Sequence, residues 1–541
     1  MRTAIWLIGW TLVAFSLMAS GAGCGGRGDA YDERLQVSAP IVVGHYLAFL
    51  DRTRERVTLV RPFTREVTHV DVGRGPSFLM PTPDGARLIV ICKGWVATER
   101  DEEDELPSMV LIDPAAPQSA VSYDLGSPFD EVAVSPDSRF AVAFFSSTTT
   151  PGAEEVFRNP NAVALLDLDE PGGVPMEKTV RSFGDVPLGV MFSPPEMAPL
   201  QSDGTLGTPR TLAVVFADGY VTFLDMEHPE RSEVTVHLTL PDHPQTVIPQ
   251  EIVFAPEAGT VFLRCLGAND IYAFTLTARS PGSATENDFV ISINTLAAGS
   301  VPGDVGVFTE GGERKILVAN QGSENVTIID ALTSEFVNIH IGDPVDRVLL
   351  YPEQSPTVAV IFSQGSARNR IHFLDLQDVE TRVGQNHDVL ATNEAVQNIE
   401  LIPGRDQALV LHDDNHSVMS VLDLTGRTLS PITAQGQLGG YVFTADGAHL
   451  AGFTLSKAQM GLIDLSNLAV RTLQLSHTPT HIFALQRLAN NPDDTESRTL
   501  VVDHGDPAGR LSVIPNPSDL SRTSTYVLSG FLYDGLLGDP L

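Results

Sequence analysis

Residues 316–330 read ILVANQGSENVTIID. Two apolar segments, 316–319 and 326–329, flank a polar turn that contains glycine, serine and asparagine, and Asp330 closes the second segment. Short β-branched segments on either side of such turn residues are typical of an antiparallel hairpin. The stretch therefore predicts two adjacent strands, the second of which ends at an acidic residue.

The closing aspartate recurs along the chain. An apolar segment ends in Leu-Asp or Ile-Asp at seven positions, which are Asp113, Asp167, Asp225, Asp330, Asp375, Asp423 and Asp464. The interval is roughly 50 residues, and the one double interval contains residues 271–274, an apolar segment that lacks the aspartate. Regular recurrence at this length indicates a repeat architecture.

A turn with its own signature precedes these segments. Proline fixes φ, and aspartate and glycine accept turn geometry. The clearest copies are Thr82-Pro83-Asp84-Gly85, Ser135-Pro136-Asp137-Ser138 and Thr444-Ala445-Asp446-Gly447. No sustained helical period follows residue 24. Each unit is therefore predicted to contain four short antiparallel strands.

The number of units sets the expected architecture. Nine units show all four strands, and a tenth, at the N-terminal end, shows three, at residues 45–50, 57–60 and 66–72. Residues 530–537 are expected to supply the missing strand and so to close the ring by joining the chain ends in one sheet. We predict that residues 37–541 form an all-β domain, a β-propeller of four-stranded antiparallel blades with about ten repeat units and seven to ten blades. Eight blades with extra strands and two abutting rings are the alternatives.

Residues 316–330 also resemble the YVTN-type β-propeller repeat. Val318, Asn320 and the closing Val-x-Ile-Ile-Asp agree with that motif, while Leu317 and Ala319 replace its tyrosine and threonine. The resemblance implies a ring of four-stranded blades on an exported or surface protein. It does not imply one activity, because relatives include binding modules, lactonases and quinoprotein-like enzymes.

The N-terminus predicts export. Residues 1–23 have the layout of a secretory signal peptide, with Arg2, an apolar run over 4–18 and small residues after it. Ala22-Gly23-Cys24 resembles the lipobox of bacterial lipoproteins, with Gly21 where leucine is usual. The resemblance implies acylation of Cys24 and an outer-membrane lipoprotein that faces the periplasm or the cell surface. Residues 24–36 are expected to be a flexible tether. The alternative is ordinary export, with cleavage near Ala22 and a free Cys24.

Charge and cysteine usage narrow the function classes. The formal charge is −34, from 34 basic and 68 acidic residues, so nucleic acid is not an expected partner. Cys92 and Cys265 lie in apolar segments of well-separated repeats, which favours small buried residues over a disulfide.

Four residues lie where a unit enters its first strand: Asp130, Asp304, Asp346 and His481. In the propeller family such segments point toward the central channel, so these residues are predicted to bind a cation or a cationic ligand at the channel mouth. No cofactor is expected, and Ca²⁺ is the candidate ion because oxygen ligands from several blades would suit it. The alternative, which we favour, is that Pro-x-Asp starts a strand and the aspartate accepts hydrogen bonds from nearby backbone groups.

Other polar segments are candidates for binding. His412-Asp413-Asp414-Asn415-His416 has the composition of a metal site, but it falls between two predicted strands, where we favour ordinary hairpin chemistry. Residues 99–105 are an acidic loop, either a solvated insertion or a docking surface for a basic partner. Insertions at 148–159, 196–209, 279–287 and 490–497 are candidate partner surfaces.

These observations predict an exported, lipid-anchored propeller that binds an envelope protein or a small ligand as a binding or scaffolding module. The sequence has no GxSxG, HExxH or Walker signature, which favours a protein without catalytic activity. The alternative is a lactonase-like hydrolase with a metal at the channel mouth. A third possibility is a structural envelope protein without a small ligand.

Overall fold

Ten antiparallel sheets follow one another along the chain. The computed structural model describes residues 34–97, 104–145, 159–180, 187–238, 247–283, 285–379, 386–432, 436–487, 494–519, 525–533 and 537–539. Each sheet contains four strands in chain order, except the last, which contains five. In the described ranges the only helical segments are 3₁₀ turns of three residues, Pro117–Ser119, Pro256–Ala258, Glu496–Arg498, Pro517–Asp519 and Phe531–Tyr533.

The sheets are numbered here as blades 1 to 10. Blades 1 to 5 contain β1 Ile41–Val43, β2 Tyr46–Asp51, β3 Arg56–Arg61 and β4 Glu66–Asp71; β5 Pro76–Pro81, β6 Leu88–Cys92, β7 Ser108–Ile112 and β8 Val121–Asp124; β9 Glu131–Val134, β10 Phe140–Phe144, β11 Ala162–Asp167 and β12 Met176–Thr179; β13 Gly189–Phe192, β14 Leu212–Ala217, β15 Tyr220–Asp225 and β16 Val234–His237; β17 Ile248–Ala255, β18 Thr260–Leu266, β19 Asp270–Ala278 and β20 Phe289–Ala297.

Blades 6 to 10 repeat the arrangement. They contain β21 Pro302–Glu310, β22 Glu313–Asn320, β23 Asn325–Asp330 and β24 Phe336–His340; β25 Arg347–Tyr351, β26 Val358–Phe362, β27 Arg370–Asp375 and β28 His387–Ala391; β29 Asn398–Leu401, β30 Gln407–Leu411, β31 Met419–Asp423 and β32 Thr428–Ile432; β33 Leu438–Phe443, β34 His449–Thr454, β35 Gln459–Asp464 and β36 Val470–Gln474; β37 His481–Ala484, β38 Leu500–Asp503, β39 Arg510–Ile514, β40 Tyr526–Ser529 and β41 Leu537–Asp539.

The recurring aspartates all stabilise the turn that follows the third strand of a blade. Six of them end the third strand of their blade, and Asp113 directly follows it. In all seven a carboxylate oxygen accepts a hydrogen bond from the backbone N–H two residues later, over 2.8 to 3.2 Å. This contact begins the turn into the fourth strand, which is the Asx-turn chemistry of aspartate. The repeat mark in the sequence is therefore a turn determinant.

The upstream turns also form as predicted. The Thr82 hydroxyl donates to Asp84 over 2.5 Å, and Gly85 adopts φ +67°. Thr444 donates to Asp446 over 2.6 Å, and Gly447 adopts φ +61°. A positive φ suits glycine because it has no Cβ.

Packing between blades closes a ring of ten. Across the described residues, one hydrophobic cluster lies at each of the ten junctions between neighbouring blades, the junction of blades 10 and 1 included. Residues 316–319 show how one strand serves two junctions. Ile316 and Val318 pack toward blade 5, while Leu317 and Ala319 pack toward blade 7, because successive side chains of a strand point to opposite faces. The predicted all-β propeller is confirmed, with ten blades.

The predicted closure by the chain ends was wrong. Blade 1 has its own first strand, Ile41–Val43, which pairs with Tyr46–Asp51 through a tight turn in which Gly44 adopts φ +52°. The C-terminal Leu537–Asp539 instead adds a fifth strand to blade 10. Both pairings are local in sequence, and a local hairpin loses less chain entropy than a pairing between the two ends.

Cys92 and Cys265 are buried and neither forms a disulfide, as predicted. Burial raises the pKa of each thiol to about 12. Several segments named in the sequence analysis lie outside the described residues. They are the predicted signal peptide, Cys24, most of the tether, and residues 99–103, 148–158 and 490–493. Within the described residues, no helix is long and apolar enough to cross a membrane.

Candidate functional site

The first strands of several neighbouring blades contact each other, among them β21 and β25, and the first strands form the inner side of the ring. The four predicted channel residues lie on this side but in four different blades. Asp130 directly precedes β9, Asp304 lies inside β21, Asp346 directly precedes β25, and His481 begins β37. Only Asp304 and Asp346 belong to neighbouring blades. In the described part of the chain, no three His, Cys, Asp or Glu side chains form a group that could hold a metal ion.

Asp304 and Asp346 bond to backbone and side-chain groups of the ring. Asp304 accepts the N–H of Val348 in the next blade over 2.7 Å and that of Val305 over 3.0 Å, and burial raises the pKa of its carboxyl group. Asp346 accepts the N–H of Gln364 over 2.8 Å. Blades 6 and 7 approach so closely here that a Cβ on Gly303 would lie 2.7 Å from Cα of Asp346. These contacts fix the two inner strands relative to each other.

Glu251 was missed by the sequence reasoning. It lies on β17, directly after a register shift in the pairing with β18, as Asp304 does on β21. Arg264 donates its Nε to Glu251 over 3.1 Å and an Nη to the carbonyl of Pro302 over 3.3 Å. Burial, and then the charge of Asp304, raise the pKa of Glu251. Its place in the repeat is the signal that would have found it. Glu251 lies two residues after Pro249, just as Asp304 lies two residues after Pro302.

His481 belongs to a separate contact in blade 10. Its Nδ1 lies 3.4 Å from Oδ2 of Asp503, and the same oxygen accepts the Thr480 hydroxyl over 3.0 Å. The His481 side chain is about half exposed. The four residues predicted to form an acidic ring thus take part in separate local contacts. The binding of Ca²⁺ by these residues stays a prediction.

The segment 412–416 is a hairpin connection. His412 is buried, with Nδ1 2.9 Å from the carbonyl of Ala395 and Nε2 3.0 Å from the Ser420 hydroxyl. Asp413 accepts the N–H groups of Ser417 and Val418 over 2.8 and 3.1 Å. His504 repeats the pattern in blade 10, where its Nε2 lies 2.8 Å from a serine hydroxyl on the third strand. The two imidazoles of this segment therefore do not form a metal site.

A buried Asp–His–His contact in blade 7 was not predicted. Nε2 of His372 lies 3.1 Å from Oδ2 of Asp343, and its Nδ1 lies 2.9 Å from Nε2 of His387. Arg368 and Arg370 also bind Asp343. Burial, and then the charge of His387, lower the pKa of His372 to about 4. At neutral pH a neutral His372 that donates from Nε2 to Asp343 and accepts at Nδ1 satisfies both contacts.

Two predicted insertions meet at the junction of blades 4 and 5. In the insertion 196–209, Leu200 bonds to both Leu276 and Ala278 of blade 5, over 2.8 and 2.7 Å. In the insertion 279–287, the carbonyl of Thr285 accepts the N–H of Ser232 in blade 4 over 2.8 Å. Each insertion thus reaches across to the neighbouring blade.

The outer strands of blades 4 and 5 and the insertion 279–287 line a groove of about 830 Å³, here called the blade 4–5 groove. Its walls include Tyr220, whose ring lies 4.6 Å from that of His237, together with Phe289, Val290 and Glu286.

A buried charge network holds the two walls of the groove together. Arg210, of which 5 % is exposed, binds Asp225 over 2.8 Å and Asp288 over 2.7 Å. Arg231 binds Asp288 over 3.1 Å. Because Asp288 belongs to blade 5 and the arginines to blade 4, the network fixes the width of the groove.

Comparison with known proteins does not assign the chain to a family. No family model matches the chain, and no curated protein matches it. The solved structure of dihydro-heme d1 dehydrogenase NirN in complex with DHE is similar over 82% of this chain and 73% of that chain, at 12% identity and a TM-score of 0.39. A eukaryotic initiation factor is similar over 73% of this chain and 86% of that chain, at 12% identity and a TM-score of 0.40. Similarities at this level carry no argument about function.

Proposed function

We propose that this protein is an exported, lipid-anchored member of the YVTN-type propellers that acts as a binding or scaffolding module of the cell envelope. Acylation of Cys24 would hold it at the outer membrane, and its propeller would bind an envelope protein. The observation that carries the binding role is the blade 4–5 groove. The insertion 279–287, which bonds to the neighbouring blade, lines this groove of about 830 Å³ together with the outer strands of blades 4 and 5.

The groove suits an extended polypeptide segment. Its walls contain β16 and β20, which are the outer strands of their sheets and pair on one side only. Such edges offer unpaired N–H and C=O groups to an added strand. Val290 is 41% exposed on β20 and provides apolar contact area. An envelope protein with a strand-forming segment is the partner that fits this chemistry.

Crosslinked pull-down from the native envelope tests the proposal. We expect a stoichiometric envelope protein with the wild type, and its loss with Val290→Arg, because a long charged side chain would fill the groove. Val389→Arg is the matched control, since Val389 is a similarly exposed valine on the outer strand of blade 7. If Val290→Arg still recovers the partner, the binding surface lies elsewhere. If the wild type recovers no envelope protein, the binding role is contradicted.

The anchor has its own test. Cys24→Ala should move the protein from the membrane fraction to the soluble fraction, because the acylated thiol is the proposed attachment point. Retention in the membrane fraction would contradict lipidation at Cys24.

The second candidate function is a lactonase-like hydrolase with a metal at the channel mouth. The observation that favours it is the raised pKa of both Glu251 and Asp304 on the inner side of the ring, a property that functional carboxylates often show. This function requires that a chelator lower the melting temperature of the wild type and that Asp304→Ala and Asp346→Ala abolish the chelator effect. A melting temperature that is indifferent to chelator would exclude it.

A further inference from the structure

A second cavity, separate from the blade 4–5 groove, lies at the junction of blades 3 and 4. It has a volume of about 250 Å³ and is here called the blade 3–4 cleft. It is formed where third strands turn into fourth strands, around residues 167–176 and 226–229. The volume lies just below the range of drug-sized ligand sites, so the cleft suits a small molecule.

The cleft has an excess of negative charge. Asp167, Glu170 and Glu227 line it, against one cation, Arg139. Arg139 donates to Asp167 over 3.3 Å and lies 3.6 Å from Oε1 of Glu227, while its guanidinium lies 4.3 Å from the ring centre of Phe140. One arginine cannot neutralise three carboxylates. Glu170 has no ion-pair partner among the described side chains, and the side chains that line the cleft have a net formal charge of −2, from three carboxylates and one arginine.

Glu227 is the carboxylate that a cation would stabilise most. Its side chain is 28% exposed, and burial is the largest cause of its raised pKa. The N–H of Thr211 donates to Oε2 over a long 3.4 Å. A partly buried carboxylate that has lost water without gaining a close partner favours an incoming positive charge.

A buried hydroxyl without a partner lies at the same cleft. Tyr123 lines it and is only 2% exposed, yet its hydroxyl makes no hydrogen bond within the described residues. An unpaired buried hydroxyl costs about 1–3 kcal/mol, so such groups are normally satisfied. A ligand with a hydrogen-bond donor would give the phenolic oxygen of Tyr123 a partner.

The rest of the wall is apolar. Leu165 and Met226 belong to the buried junction cluster, and Met176 and Val174 lie toward solvent, with Val174 93% exposed. Methionine side chains adapt to ligands of different shape. This wall would contact the carbon skeleton of a ligand, and it is unsuited to a hydrated metal ion.

We propose that the blade 3–4 cleft binds a small organic cation, an ammonium or guanidinium group on a short apolar body. The cationic group binds Glu227 and Glu170 and donates to the Tyr123 hydroxyl, and the apolar body packs on Leu165, Met176 and Met226. This site is independent of the partner surface proposed above, because the two cavities share blade 4 but have no lining residue in common.

Isothermal titration calorimetry tests the site, with the purified full chain and benzylammonium as the probe. Benzyl alcohol, which has a similar shape but no charge, is the control ligand. We expect saturable binding of benzylammonium and none of benzyl alcohol. Glu227→Gln should weaken binding by about ten- to a hundredfold, because it removes a charge-assisted hydrogen bond. Tyr123→Phe should weaken it by about three- to tenfold without lowering the melting temperature, because the hydroxyl has no partner in the free protein.

Glu286→Gln, which removes a carboxylate from the blade 4–5 groove, is the control and should leave benzylammonium affinity unchanged. Equal binding of benzyl alcohol would overturn the proposed charge recognition. Absence of benzylammonium binding, or full affinity in Glu227→Gln, would overturn the site itself. None of these outcomes depends on the envelope partner, so this site and the partner surface are tested separately.

Discussion

The junction of blades 6 and 7 and the junction of blades 10 and 1 join neighbouring sheets in different ways. Between blades 6 and 7 the chain is continuous, and the carboxylate of Asp304 bonds to the backbone of the next inner strand. Between blades 10 and 1 the described chain makes no such connection. There Asp494 binds His45 over 2.7 Å, and Glu496 binds Arg61 over 2.8 Å.

Aromatic side chains complete the closing junction. The Phe531 ring lies 5.2 Å from that of Phe49, and the Tyr526 hydroxyl donates to the carbonyl of Pro62 over 2.7 Å. Arg56 donates to the carbonyl of Leu532 over 2.7 Å. The comparison teaches that blades 10 and 1 are held together by side-chain contacts from the last blade, whereas blades 6 and 7 are also joined by the chain itself. The closing junction should therefore depend most strongly on individual side chains.

The largest expected effect is at Phe531. Phe531→Ala should lower the free energy of unfolding by about 3–5 kcal/mol, because it leaves a cavity in the closing cluster. Urea unfolding measures the loss. Phe63→Ala is the control, since Phe63 is 41% exposed and its removal leaves no buried cavity. A loss below about 1 kcal/mol at Phe531 would show that this cluster does not hold the ring closed.

Asp494 is the next test of the closing junction. Its side chain is 1% exposed, and it accepts the N–H groups of Glu496 and Ser497 besides binding His45. Asp494→Ala should cost about 3 kcal/mol, because several buried donors lose their acceptor. Asp414→Ala, at an exposed position, should cost less than about 0.5 kcal/mol. Equal unfolding midpoints for the two variants would contradict the assigned role.

The buried histidine at the junction of blades 6 and 7 predicts a pH effect. The pKa of His372 is about 4 in the folded protein and near 6.5 when the chain is unfolded. The unfolded chain therefore binds more protons, and stability falls as pH decreases from 6.5 toward 4. Between pH 7 and pH 5 this group should contribute a loss of about 2 kcal/mol.

His372→Gln should flatten the fall in stability between these pH values, as measured by urea unfolding at each pH. His228→Gln, at a side chain that is 46% exposed, should leave the pH dependence as in the wild type. An unchanged pH dependence in His372→Gln would mean that His372 is not held neutral by burial.

The smallest effect is expected at Asp304. Asp304→Asn should cost about 1 kcal/mol or less, because an amide oxygen still accepts the N–H of Val348 and burial already disfavours the charge. Asp304→Ala should cost about 2 kcal/mol, because that N–H loses its acceptor. Thermal unfolding of both variants measures the difference. Equal losses would show that the hydrogen bond to the next blade does not stabilise the junction.

Local sequence patterns predicted the blades well because strands and turns depend on nearby residues. The aspartates of the Leu-Asp and Ile-Asp pairs bond to an N–H two positions later, so their effect is visible in a short stretch. The four strands of nine blades, the burial of Cys92 and Cys265 and the hairpin at residues 412–416 were predicted from the same local chemistry.

The candidate sites were predicted only in part, because each combines residues from different blades. Asp304 and Asp346 were found from their place at the start of a repeat unit. Glu251 has the same place after Pro249 and was not recognised, whereas His372 has no local mark. The insertion 279–287 was recognised as an insertion, but the groove that it lines depends on which blades are neighbours.

The sequence by itself determined the all-β class, the repeat and the turn that ends each third strand, since these depend on contacts within a few residues. Only the tertiary structure decided how the ring closes, which carboxylates lie near one another, and where the groove and the cleft lie. The physical reason is that side-chain contacts between blades depend on the angle and spacing of whole sheets. Those are set by packing along the entire ring, which no short stretch of the chain contains.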